Sequence, residues 1–133
     1  MMQIYQGIDI VEIGKFREII LRHPDFIPDI FTEKERAYCD SKKDSSVHYA
    51  GRFAAKEAGI KALGIGMSGG GIDHTLREIE VLPSKSGRPE LQLSGWIEKL
   101  SQKKHISQLT VSISHSEHYA IASVVLTGKQ NTV

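Results

Sequence analysis

Val47-His48-Tyr49-Ala50-Gly51-Arg52-Phe53-Ala54-Ala55-Lys56-Glu57-Ala58-Gly59-Ile60-Lys61-Ala62-Leu63 is the stretch on which the fold turns. Ala50, Phe53, Ala54, Ala58, Ala62 and Leu63 supply apolar side chains and good helix formers, and Gly64 stands where such a helix would end. The segment predicts the long helix of the fold. At about 100° per residue, Ala50, Phe53, Ala54, Glu57 and Lys61 share one stripe, so a carboxylate and an ammonium interrupt a face otherwise suited to packing. Two readings stay open: a surface pair at i,i+4 worth ~0.3–0.5 kcal/mol, or two groups turned toward a site.

Upstream, Gln3 to Ile13 is rich in Ile and Val and predicts a strand ending near Gly14. Lys15 to His23 carries Phe16, Ile19 and Ile20 at helical spacing before Pro24 stops the helix. Thr32 stands three positions before Glu35, a capping box that predicts a second helix running to about Cys39. Lys42 to Ser46 reads as a loop. Downstream, Gly64 to Gly71 is glycine-dense and reads as a loop of unusual backbone angles. Arg77–Leu82 and Glu90–Leu93 read as strands joined by a turn at Ser86–Pro89, and Trp96–Leu100 as a short helix. Gln108–Ser114 and Tyr119–Leu126 read as a second hairpin across His115-Ser116-Glu117-His118. Strands and helices do not alternate regularly, which predicts an α+β domain with a mostly antiparallel sheet packed on one long helix. A single domain over residues 1–126 is expected, with Thr127–Val133 as a frayed tail.

Composition narrows the function. A chain of 133 residues suits one core and buries roughly two-thirds of its unfolded surface. Seventeen Lys and Arg against sixteen Asp and Glu leave +1, so there is no global field to hold a nucleic acid or an anionic membrane. No apolar run approaches the ~20 residues of a membrane span, and MMQIYQGIDI lacks a secretory pattern, so a cytoplasmic protein is expected. Cys39 is alone and is read as an inert small side chain, without a disulfide or a cysteine-rich zinc site.

Several motifs admit two readings. Gly64-Ile65-Gly66-Met67-Ser68-Gly69 satisfies G-x-G-x-x-G but follows a helix, which discards a dinucleotide fingerprint and leaves a linker or a phosphate contact. Ser112 and His115 lack the elbow of a hydrolase nucleophile. His115 and His118 have a spacing that could serve zinc, but two histidines in a turn with no cysteines nearby are more often solvated polar residues. Asp9, between Ile8 and Ile10, is costly in a β-rich segment unless paired or bound to a cation. If the long helix crosses the first strand, Asp9 and Glu57 converge, and two carboxylates with substrate phosphates are a usual setting for Mg²⁺.

Five blocks then stand out: Gly7-Ile8-Asp9-Ile10-Val11-Glu12-Ile13; Phe31-Thr32 with Glu35; Gly51-Arg52-Phe53-Ala54-Ala55-Lys56-Glu57-Ala58 continuing to Lys61-Ala62-Leu63-Gly64; Gly87-Arg88-Pro89; and Val111-Ser112-Ile113-Ser114-His115. In this order, across nearly the whole chain, they resemble the holo-[acyl-carrier-protein] synthases, the small 4′-phosphopantetheinyl transferases. The resemblance implies transfer of the phosphopantetheine arm of coenzyme A to a serine of apo-acyl carrier protein, in fatty acid biosynthesis, with Mg²⁺ required. It places the metal on Asp9 and Glu57 and phosphate stabilisation on Lys61, and it assigns Arg52, Lys61, Gly64 and His115 to the nucleotide half of coenzyme A. Glu57, or else Asp9, would take the serine's proton directly or through a water. It further implies carrier docking on Lys15, Arg17 and Arg22 of the first helix and a homotrimer with sites between subunits. Two departures are visible: Gly14-Lys15 where relatives often carry a basic pair, and Ile65 where many carry a threonine. The competing expectation is a non-catalytic coenzyme A-, nucleotide- or carrier-binding module on the same fold.

Overall fold

The computed structural model describes residues 1–66 and 72–130. In chain order the elements are β1 (Met2–Glu12), α1 (Ile13–Arg22), α2 (Phe26–Ile30), α3 (Glu33–Asp40), α4 (Ser45–Ala62), α5 (Ile72–Arg77), β2 (Ile79–Pro83), β3 (Pro89–Leu93), α6 (Gly95–Lys103), β4 (Ile106–His115) and β5 (Tyr119–Lys129). One sheet has the order β1-β5-β4 and a second pairs β2 with β3. Every pairing is antiparallel, so the α+β class holds.

The 18-residue helix α4 is the hub. Its sheet-facing residues are small: Ala50, Ala54, Ala55, Ala58 and Ala62 are buried, as are Gly51 and Gly59. Small side chains let a helix backbone approach a sheet closely. A Cβ on Gly51 would stand 2.9 Å from Ile113 Cγ2, and one on Gly7 would overlap the Ala58 carbonyl and lie 2.7 Å from Ala62 N. The first half of α4 therefore crosses β4 and the second half crosses β1. On the sheet side, Ala120, Ala122, Val124 and Leu126 of β5 are buried, the period-2 pattern of a strand with one covered face. The opposite face is bare, with Ile4, Ile8 and Ile10 of β1 at 65%, 56% and 61% exposure.

Two clusters tie the flanking helices down. Phe16 of α1 stacks on Phe53 of α4 with centroids 5.3 Å apart, and Phe26 of α2 meets both rings. The capping box forms as expected: Thr32 Oγ1 accepts from Glu35 N at 3.2 Å, and Glu35 Oε1 accepts from Thr32 N at 2.9 Å. Glu35 is also fully buried against Lys56, whose Nζ donates to Glu35 Oε1 (2.8 Å), Leu76 O (2.9 Å) and Ile79 O (2.8 Å). The other carboxylate oxygen accepts from Val81 N at 2.8 Å. This satisfied ionic knot joins α3, α4, α5 and β2.

The structure departs from the sequence reading in places. Thr127–Lys129, expected to fray, continue β5 because β1 is long enough to pair with them through Met2, Gln3 and Ile4. Asn131–Val133 lie outside the described residues, as do Met67–Gly71 of the glycine-rich segment. The strand expected from Arg77 begins at Ile79, after the short helix α5 that the sequence did not announce. Cys39 is fully buried, and that burial pushes its thiol up to about 12. Among the described residues no helix is long and apolar enough to cross a membrane.

Candidate functional site

Asp9 lies on the inward-facing row of β1, with its side chain 18% exposed. Helix α4 passes over it at Gly7, and the closeness of that crossing brings Lys61 down to the strand. Lys61 Nζ donates to Asp9 Oδ1 at 2.9 Å and to Ile8 O at 3.1 Å. Glu57, one turn earlier on α4, lines the same cleft of about 390 Å³, walled by β1, α1 and α4 and floored by Phe16 and Phe53. The convergence that spacing left undecided is real: Asp9, Glu57 and Lys61 meet although 48 residues separate the two acids in sequence. Lys61 is bonded across the fold to Asp9, so it is more than a surface partner for its own helix.

The donor set suits a hard divalent cation. Three carboxylate side chains, Asp9, Glu12 and Glu57, line one open cleft; Glu12 is paired with Lys15, and Asp9 Oδ1 already holds a positive charge in the form of the Lys61 ammonium. Among the described residues no group of three or more His, Cys, Asp and Glu forms a metal cage. A two-carboxylate site that leaves further positions to phosphates and water is the arrangement Mg²⁺ favours.

Arg52 and His115 sit elsewhere in the chain. Five residues before Glu57, Arg52 is turned about 140° around the helix from it. It is 6% exposed, with its guanidinium carbon 4.2 Å from the Tyr38 ring centroid. Its Nε is buried without a hydrogen-bond partner. His48 lies 6.1 Å from the Tyr38 ring and 6.5 Å from the His115 ring, and Lys42 Nζ stands 4.7 Å over Tyr38. Burial, then the Arg52 and Lys42 charges and His115, holds the His48 imidazole below its ordinary range. Two fixed cations, Lys42 and Arg52, with a buried guanidinium nitrogen left unpartnered, make a cluster that can receive an anion. None of its members lines the Asp9 cleft. The sequence reading missed Tyr38, Lys42 and His48; His48 and Arg52 are four residues apart on α4, the spacing at which helical side chains meet, whereas Lys42 lies beyond the end of α3 at Asp40. His118 does not join His115; it lies beside Glu117 at 3.9 Å, largely exposed.

Gly64 ends α4 in the left-handed region, at φ +74°. Its N–H donates to Lys61 O at 3.0 Å, and the Ile65 N–H donates to Ile60 O at 3.1 Å. Those two amides are spent on closing the helix. On α1, Arg17 pairs with Asp44 at 2.9 Å and Lys15 with Glu12 at 3.5 Å, while Arg22 lies exposed in the last turn.

Residues 6–124 match the model of the 4′-phosphopantetheinyl transferase superfamily. The chain belongs to that family. This transferase-superfamily chain is 36% identical, over 98% of its length and 100% of the relative's, to a holo-[acyl-carrier-protein] synthase of Caldanaerobacter subterraneus subsp. tengcongensis. It is 43% identical, over 90% of its length and 94% of the relative's, to the holo-[acyl-carrier-protein] synthase of Geobacter sulfurreducens. Its fold superposes on an ACPS–CoA complex of Chronobacterium ammoniagenes with a TM-score of 0.84 at 34% identity, covering 96% of this chain and 99% of the other. The span shared with the superfamily includes Asp9, Arg52, Glu57, Lys61, Gly64 and His115.

Proposed function

We propose that this chain transfers the 4′-phosphopantetheine group of coenzyme A to a serine of an apo-acyl carrier protein, releasing adenosine 3′,5′-bisphosphate. The observation that carries this reading is the meeting of Asp9, Glu57 and Lys61 in one open cleft. The relatives named holo-[acyl-carrier-protein] synthase and the neighbour solved with CoA support the same reading. In the reaction the serine oxygen bonds to the phosphorus bearing pantetheine, and the bond from that phosphorus to the bridging oxygen breaks. Asp9 and Glu57 would hold Mg²⁺, which when bound neutralises diphosphate charge. Lys61, held over Asp9, is placed to stabilise negative charge as the nucleotide leaves. Glu57 takes the serine's proton directly or through a water, with Asp9 as the alternative.

Arg52 and His115 are assigned to the nucleotide half of coenzyme A, with Gly64 beside them in this role. Because the Arg52 cluster stands apart from the acid pair, a site that uses both draws them from two copies. A heterologous contact that closes into a ring does this, and the trimer implied by the family resemblance is such a ring. The apolar outer row Ile4, Ile8 and Ile10 supplies surface for it. The carrier docks on Lys15, Arg17 and Arg22, where its acids compete with Glu12 and Asp44. The cytoplasmic setting and the role in fatty acid biosynthesis belong to the same proposal.

The test is a transfer assay with coenzyme A, Mg²⁺ and an apo carrier, read by the mass gain of the carrier. Glu57→Gln should collapse kcat with both substrates saturating, and a near-normal rate would remove Glu57 from the role of base. Binding of coenzyme A without any transfer by the unmodified protein would instead favour a non-catalytic module.

A further inference from the structure

Within the Arg52 cluster stands a titratable group that the proposed chemistry does not employ. The His48 imidazole lies between α3 and β4, 6.1 Å from the Tyr38 ring and 6.5 Å from the His115 ring. Arg52 follows it by one turn of α4 and is 6% exposed, with Nε buried and without a hydrogen-bond partner. Among the described residues neither Arg52 nor Lys42 has a carboxylate within ion-pairing distance. Both cations lie over the Tyr38 ring instead. The charged and titratable groups that face His48 are Tyr38 of α3, Lys42 and Asp44 of the α3–α4 connection, Arg52 of α4 and His115 of β4. Asp44, the acid of this set, is itself held by Arg17 at 2.9 Å.

Two fixed charges around one ring set the terms for a third. An imidazolium here would repel both, and His48 sits in the first turn of α4, at the positive pole of a long helix. Burial and then the Arg52, Lys42 and His115 groups hold His48 below its ordinary range, opposed by Asp44, so at pH 7 its ring is largely neutral. A bound oxyanion reverses that balance. Its charge offsets Arg52 and Lys42, and an imidazolium offers it two N–H donors where the neutral ring offers one donor and one lone pair. We propose that an oxyanion received at Arg52 and Lys42 is captured together with a proton on His48, which makes His48 a proton-linked binding residue of this site. That the oxyanion is a phosphate of coenzyme A rests on the transferase reading above. Because binding takes up a proton, affinity falls as pH rises through neutrality.

Sulfate, whose charge is constant across this pH range, is the probe, followed through the imidazole NMR signals of the unmodified protein, His48→Gln and His118→Gln. The signal missing from His48→Gln should titrate at higher pH with sulfate bound than without it. Sulfate should bind about tenfold more tightly at pH 5.5 than at pH 7.5, the effect of one opposite charge brought beside an ionising group. His48→Gln should lose most of that difference, and His118→Gln, which removes an exposed histidine outside the cluster, should keep it. In the transfer assay the KM for coenzyme A should climb with pH more steeply in the unmodified protein than in His48→Gln. His48→Asn serves if the glutamine variant folds poorly. A His48 signal that titrates alike with and without sulfate overturns the proposal, as does a tenfold difference that survives in His48→Gln or an absence of sulfate binding at every pH; transfer by the unmodified protein would stand in each case. A protein that shows the His48 response to sulfate but transfers nothing keeps the site and overturns the transferase reading.

Discussion

Lys56 and Glu57 are neighbours in sequence with opposite fates. Glu57 faces the open cleft, whereas Lys56 is fully buried and spends three hydrogen bonds on Glu35, Leu76 O and Ile79 O. Burial lowers the Lys56 pKa and the Glu35 carboxylate opposes the shift. Lys56→Met should destabilise the protein by about 3–5 kcal/mol, because it strands Glu35 as an uncompensated buried charge; denaturant unfolding measures it, and a loss under ~1 kcal/mol would contradict this account. Cys39 offers a gentler check. With its thiol at about 12 and no exposed surface, it should resist alkylation in the native protein at pH 8 and react once the chain is unfolded. For His48 the folded pKa lies below its unfolded value of about 6.5, so the unfolded chain takes up the proton first as pH falls. Native stability should decline as pH drops below that value, and His48→Gln should flatten the decline in melting experiments run from pH 7 to 5.

Among the elements, the crossing of β1 and α4 decides whether the acids meet. Gly7 is the contact point, and the groups a Cβ would strike there are the Ala58 carbonyl and Ala62 N, backbone that cannot swing aside. Gly7→Ala should part the strand from the helix, lengthen the Asp9–Lys61 pair and cost both stability and kcat. Gly51→Ala should be milder, since its obstacle is the Ile113 side chain, which can shift; an assay ranking Gly51→Ala below Gly7→Ala would refute this comparison. The strongly patterned elements were legible in advance: the long helix, the capping box at Thr32 and both hairpins. The short helices α2 and α5 were not, because five or six residues give too little periodicity to separate a helical turn from a loop.

Across the whole molecule, charge and apolar surface are unevenly spread. The net charge is +1, yet α1 gathers Lys15, Arg17 and Arg22 on its exposed side, away from the buried Ile13 and Phe16. Raising salt from 50 to 500 mM should therefore weaken carrier KM far more than coenzyme A KM; equal sensitivity would count against that patch. The bare row Ile4, Ile8 and Ile10 should be covered by other copies, so Ile8→Lys with Ile10→Lys should shift the sedimenting mass toward the 14.8 kDa chain and lower turnover. A doubly substituted protein that keeps its mass and rate would place the contact elsewhere. The amino-acid sequence alone determined which residues are chemically out of place, an acid between isoleucines and a charged pair on a packable helix stripe, because local patterning exposes a side chain that does not fit its surroundings. It also specified the α+β class and the family resemblance. Only the tertiary structure decided that Asp9, Glu57 and Lys61 share a cleft while Arg52 and His115 stand apart, and that the amides at Gly64 are already committed. Those outcomes depend on where a helix of small residues settles across a sheet, a long-range packing result that residue spacing does not encode.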